Sequence, residues 1–160
     1  MKTISLRQPW AYLLCAGVKY IENRTWKLPE KYKGERVLIH ASAKPNMSIL
    51  ESSTIFSEEQ WGYLKGFDMM LPFFQHKLIT SAIIGSVRFV DCVINHPSIW
   101  AEKSQPADFD EYGYPAAYYN KIYNWVATDA VLFEKPILGV KGKLSFWDYD
   151  LPDEYDKLLK

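Results

Sequence analysis

The chain has 160 residues, 48% hydrophobic and 24% charged. At that length roughly 70% of the unfolded surface is buried on folding, so a self-sufficient core needs no disulfide scaffold. Nineteen basic residues balance nineteen acidic ones, which excludes a net field drawing the whole molecule onto nucleic acid or anionic lipid and leaves such binding to a local patch.

Aromatic residues reach 16%, a surplus that must be buried or used. The opening "MKTISLRQPWAYLLCAG" has an apolar run broken by Arg7, Gln8 and Pro9, and so reads as neither signal peptide nor spanning helix. A cytoplasmic protein without a membrane partner is expected. Cys15 and Cys92 lack a C-x-x-C context and read as reduced core thiols. His40, His76 and His96 are scattered without ligand spacing, so neither a metal nor another cofactor is expected.

In chain order, "KTISL" alternates as a strand, and Pro9 opens a short helix carrying Leu13, Leu14 and Val18, which Gly17 caps. "KYIENRTW" alternates as a strand with Tyr20, Glu22, Arg24 and Trp26 on one face. "ERVLIHAS" follows, with Val37 and Ile39 on one side and Leu38 and His40 on the other. From about 45 to 80 the pattern is helical, and Ser57 with Gln60 forms a capping box ahead of Gly66. "TSAIIGSVRFVDCVI" gives the longest strand signal, with a bulge expected at Gly85. Residues 97–120, rich in proline and tyrosine, predict a long ordered loop. "YNWVATDAVLF" and "GKLSFWDYD" read as two closing strands separated by a turn at "EKPILGVKG", and "DEYDKLLK" as a polar tail or short last helix. This order fits an α+β fold: a small, strongly bent, mixed or antiparallel barrel with a helix after the first strand and a helical insertion, all in one domain over 1–160.

The residues that carry a resemblance are "ISLRQPWAYLLCAGVKYIENRTW", "GERVLIHASAK", "IIGSVRFVDCV" and "YNWVATDAVLF" with "GVKGKLSFW". Together they resemble the ASCH domain of the PUA-like superfamily. The specific part is G-x-K-x-x-E-x-R, here Gly17, Lys19, Glu22 and Arg24, after an entry at Arg7, Pro9 and Trp10. The resemblance implies a PUA-like β-barrel with a cleft beside the helix and this motif, in a superfamily associated with RNA and modified bases. Some members resemble amidohydrolases that remove the acetyl group of N4-acetylcytidine, and others have been described as ribonucleases. Lys19 matches the lysine of the amidohydrolases, whereas Glu22 stands where their pattern has threonine.

Three readings of the motif stay open. Lys19 is either a phosphate clamp or, if its proton is lost near neutral pH, a catalyst, with Glu22 as general acid or base. Arg7, Trp10, Arg24, Trp26 and His40 are the candidate ligand-binding residues, with Ser42 and Ser145 in segments that could border the same cleft. Alternatively, Glu22 and Arg24 are a structural ion pair on one strand face. Residues 19–44 hold seven basic side chains against three acidic ones, a local excess of four. Trp10, Trp26, Trp125 and the tyrosines 112, 114, 118, 119 and 123 offer stacking surfaces or core filling. The expected function is binding of RNA or a modified nucleoside in a basic, aromatic-lined cleft. A hydrolase acting on an acylated nucleoside or on RNA is the alternative, and a structural or protein-interaction module the third reading.

Overall fold

The structure is a computed structural model, and it describes residues 1–44, 55–66, 79–104, 112 and 121–159. The elements are β1 (Lys2–Leu6), α1 (Trp10–Cys15), β2 (Ile21–Arg24), a 3-10 turn (Glu30–Tyr32), β3 (Arg36–Ala41), α2 (Glu58–Gly66), β4 (Ala82–Val93), β5 (Tyr123–Leu138), β6 (Phe146–Asp148) and α3 (Asp153–Asp156). The strands form one six-stranded sheet in the order β2-β5-β4-β3-β1-β6. Among the described strands only β1 and β3 pair in parallel, because α1 and β2 lie between them in sequence and supply the crossover.

The sheet curls until its two ends meet through side chains rather than through a ladder. Arg24 of β2 donates from Nη2 to the carbonyl of Ser5 in β1 at 3.0 Å. Trp26, just past β2, packs edge-on against Phe146 of β6 with ring centroids 5.7 Å apart, and Trp125 of β5 stacks on the same Phe146. Within the curl, Ile4, Leu6, Val37, Ile39, Ile84, Val87, Phe89 and Trp125 form the main core, and Leu14 and Cys15 of α1 join it. Burial in this apolar core pushes the Cys15 thiol far above its ordinary pKa, so it stays protonated and inert.

Two smaller clusters lie outside. Leu13, Val18 and Ile21 pack with Phe56, Leu64 and Trp100, which seats α2 and the 95–104 loop against α1 and β2. Leu38, Ile83 and Phe133, on the outer face, are covered by Tyr149, Leu151, Tyr155 and Leu159 of the C-terminal segment. The alternation expected in β3 is present, with Val37 and Ile39 inward and Leu38 outward.

Several expectations change in detail. The strand expected over Lys19–Trp26 is limited to Ile21–Arg24, because a tight turn occupies the residues before it. The longest strand is β5, with 16 residues against 12 for β4. It pairs with β2 only over Tyr123–Val126 and runs on along β4 through Leu138, so half of the expected turn "EKPILGVKG" is strand. Tyr123 opens β5 and packs on the core rather than in a loop. The Gly85 bulge is present, as the β4 register shifts there against both neighbours. Ser57 and Gln60 do form a reciprocal capping box, at 3.0 and 3.2 Å. The rest of the 45–80 insertion, and Tyr114, Tyr118 and Tyr119 of the 97–120 loop, lie outside the described residues. Among the described residues, no helix is long and apolar enough to cross a membrane.

Candidate functional site

The site grows from the turn that ends α1. Gly17 adopts φ +72°, where an L side chain is strained, and the amides of Val18 and Lys19 both donate to the Leu13 carbonyl at 3.0 Å. This turn brings Lys19 back beside the helix, and the residue is only 3% exposed. Lys19 Nζ donates to the Ile21 carbonyl and, at 3.0 Å, to Glu22 Oε2, and it lies 5.7 Å from the centre of the Trp10 ring. The other carboxylate oxygen, Glu22 Oε1, is 3.0 Å from Arg24 Nε. That Arg24 N–H is not aimed at the oxygen, so the contact is ionic rather than a directed hydrogen bond. Glu22 is thus a buried carboxylate bridging two cations, and Arg24 in turn holds Ser5.

Around this triad lies a cavity of about 190 Å³. Trp10 comes from the start of α1 and Lys19 from the turn after it, Glu22 and Asn23 from β2, Gln60 from α2, and Trp100 and Glu102 from the loop after β4. The loop is wired to the sheet by two asparagines. Asn23 donates to the Trp100 carbonyl at 2.9 Å and accepts from the Glu102 amide at 3.1 Å. Asn124, wholly buried, donates to Asn23 Oδ1 and to the Glu102 carbonyl and accepts from the His96 amide. Gln60, besides its cap, donates to the Ile99 carbonyl at 2.7 Å. The walls are therefore fixed by hydrogen bonds between segments far apart in sequence, a preorganised site.

The expected residues divide between two places. Trp10, Lys19 and Glu22 line the cavity, and Arg24 supports its floor. Trp26 packs in the main cluster against Trp125, 4.6 Å between centroids, where it closes the barrel. Arg7 is exposed and is not among the lining residues. His40 borders a different cavity with Ser42, because it shares the outer face of β3 with Leu38. Among the described residues the cleft carries Lys19 against Glu22 and Glu102, so what lines it there is aromatic but not basic. The cations of residues 19–44 are dispersed: Lys33 pairs with Asp91 at 3.0 Å, Lys27 with Glu30 at 3.5 Å, and Arg36 holds Ser86 and the Asp129 carbonyl. Asn23, Trp100, Glu102 and Asn124 are not among the expected site residues, and Gln60 is expected only as a helix cap. Asn23, inside the motif itself, was the one with a local signal.

A family model, the ASCH domain, matches residues 4–137. The chain belongs to the ASCH domain family. A stretch of 92 residues is 34% identical to activating signal cointegrator 1 of Homo sapiens, covering 56% of this chain but only 14% of that protein. The crystal structure of ASCH from Zymomonas mobilis has a TM-score of 0.48 at 16% identity, covering 99% of this chain and 92% of that chain. A mutant of the same protein has a TM-score of 0.46, also at 16% identity, covering 99% and 94%.

In this ASCH domain His40 is fully enclosed and doubly bonded. Its Nε2 is 2.9 Å from the Val140 carbonyl, which can only accept, so Nε2 carries the proton and Nδ1 faces Ser5 Oγ at 3.1 Å. Burial lowers the pKa below the ordinary 6.5, opposed by the Val140 hydrogen bond. The unfolded chain then binds a proton at a pH where the native protein does not, so stability falls as pH drops through 6.5 toward the lower native value. Thermal melts between about pH 7 and 5 are expected to show this loss, and His40→Gln to flatten the upper part of that window. Identical pH slopes in both proteins would remove His40 as the cause.

Proposed function

We propose that this ASCH domain binds RNA or a modified nucleoside by holding one base in the Trp10–Trp100 cleft. The observation that supports it is the buried Lys19–Glu22 pair, a donor and an acceptor 3.0 Å apart at the wall of a preorganised cavity. A base edge offers the complement, an acceptor beside a donor, as in the ring nitrogen and exocyclic amine of cytosine or adenine. Each Glu22 oxygen keeps a lone pair beyond its contact with a cation, so the carboxylate can accept from an amine without giving up Lys19 or Arg24. Among the described residues one lysine faces two glutamates, which suits an uncharged base better than a phosphate.

Calorimetric titration with cytidine, N4-acetylcytidine and a short unstructured RNA tests the reading. Lys19→Met keeps the length of the side chain and removes the donor, and affinity is expected to fall roughly tenfold or more. Equal affinity in both proteins would overturn the assignment.

The same pair supports a second reading, hydrolysis. Glu22 would take a proton from water as it attacks an acyl carbon, Lys19 would donate to the carbonyl oxygen as it gains charge, and the C–N bond would break as Glu22 returns the proton to the departing amine. Mass spectrometry on the N4-acetylcytidine and RNA incubations decides between the readings. Product from wild type alone makes the domain an enzyme, whereas binding without product leaves it a reader.

A further inference from the structure

The contacts that start at Lys19 continue through Glu22, Arg24 and Ser5 to His40, and there they reach a second, wider cavity of about 610 Å³. Its walls are Ser5, Ser42 and Ser81, the His40 ring and the loop 139–144 with Lys141 and Lys143. None of the described lining residues is acidic, the reverse of the first cleft. We propose that this cavity binds a phosphate group, with Lys141 and Lys143 supplying charge and Ser81 a hydroxyl donor.

The loop is held by two hydrogen bonds that do not consume its lysines, and Ser5 packs against it at a third point. The Val140 amide donates to the Ser81 carbonyl at 2.9 Å, His40 Nε2 donates to the Val140 carbonyl, and Ser5 Oγ lies 3.2 Å from the Lys143 carbonyl. Gly142 sits against the His40 ring so closely that a Cβ there would fall 2.5 Å from Cε1. The loop conformation is thereby fixed before any ligand arrives. Core packing does not account for the tip of the loop, because Leu144 is 95% exposed. Lys143 Nζ stands 5.6 Å from the Trp147 ring, which keeps its charge near the loop. Asp148 and Asp150 line the cavity on the other side of the loop, which Lys141 and Lys143 also border, and Asp148 is paired with Lys2 at 2.7 Å.

This inference does not depend on what occupies the Trp10 cleft. A phosphate could come from a nucleotide monoester or from the diester of an RNA strand, and both share the chemistry. Amide NMR titration of the full chain with inorganic phosphate is expected to shift residues 139–144 and Ser42 while leaving Glu22 and Asn23 in place. Lys141→Ala/Lys143→Ala changes two exposed side chains and is expected to weaken this binding roughly tenfold or more. Lys141→Arg/Lys143→Arg should restore it. A nucleoside 5′-monophosphate binding more tightly than a dinucleoside phosphodiester points to the monoester, and the reverse order to a strand. Shifts scattered over lysines elsewhere, no shift at all, or an affinity unchanged in the alanine variant would each overturn the proposal.

Discussion

Glu22→Ala is expected to destabilise the domain by roughly 3–5 kcal/mol, because it removes the carboxylate between two cations and leaves Lys19 buried without an opposite charge. On a chain of this size that corresponds to a fall in melting temperature of roughly 10 °C. The alternative reading of the motif as architecture makes the same forecast, so the single variant does not separate architecture from recognition. Lys19→Met/Glu22→Leu does. It replaces the buried pair with apolar groups of similar volume, an exchange that is often neutral for stability, and leaves Arg24 with its Nη2 bond to the Ser5 carbonyl and only part of its side chain in water. Recovery of most of the lost stability together with loss of nucleoside binding would show that the pair is retained for recognition. Loss of under about 1 kcal/mol in Glu22→Ala would mean that the carboxylate does not neutralise buried charge at all.

Gly85→Ala has the other large expected effect, through backbone rather than charge. A Cβ at this position would lie 2.1 Å from the Val131 carbonyl oxygen and 2.9 Å from Cys15 Sγ. The first obstacle is main chain in β5, which cannot rotate aside, and the second is the buried end of α1. The bulge brings β4, β5 and α1 together at one point, so relief requires parting the barrel from its plug. A loss of roughly 3 kcal/mol or more is expected in urea unfolding, at the upper end of what overpacking produces. Cys15→Ala in the same background should recover little, since the carbonyl contact persists. A Gly85→Ala protein as stable as wild type would mean that β5 can withdraw from the bulge.

Much of the α+β barrel was legible because its signals are local. The Gly17 cap, the Ser57–Gln60 box and the alternation of Val37 and Ile39 each depend on neighbours within four residues, and each is found in place. The Lys19–Glu22–Arg24 cluster was legible as a spacing, although the bridging role of the carboxylate was not. What escaped depends on long-range closure. Asn124 finds Asn23 across 101 positions, and Gln60 finds Ile99 across 39, so the cleft wall formed by Trp100 left no mark on any short window. His40 was grouped with Lys19 although its β3 face already carried Leu38 outward, and the fold sends that face to the other cavity. The excess of positive charge over 19–44 read as a patch because sequence counts charges without their partners on β4 and β5, such as Asp91 and the Asp129 carbonyl.

The length of β5 exposes a different vulnerability. Past Ala127 the strand has β4 along one side and, among the described residues, no strand along the other, which leaves main-chain groups open to pairing with a second molecule. The stretch is guarded. Pro136 removes one donor there, Glu134 and Lys135 place charge beside it, and the Tyr155 hydroxyl of α3 donates to the Lys135 carbonyl at 2.9 Å. The C-terminal segment that covers Phe133 thereby also occupies part of the open margin, so burial of the outer cluster and resistance to strand addition come from the same few residues.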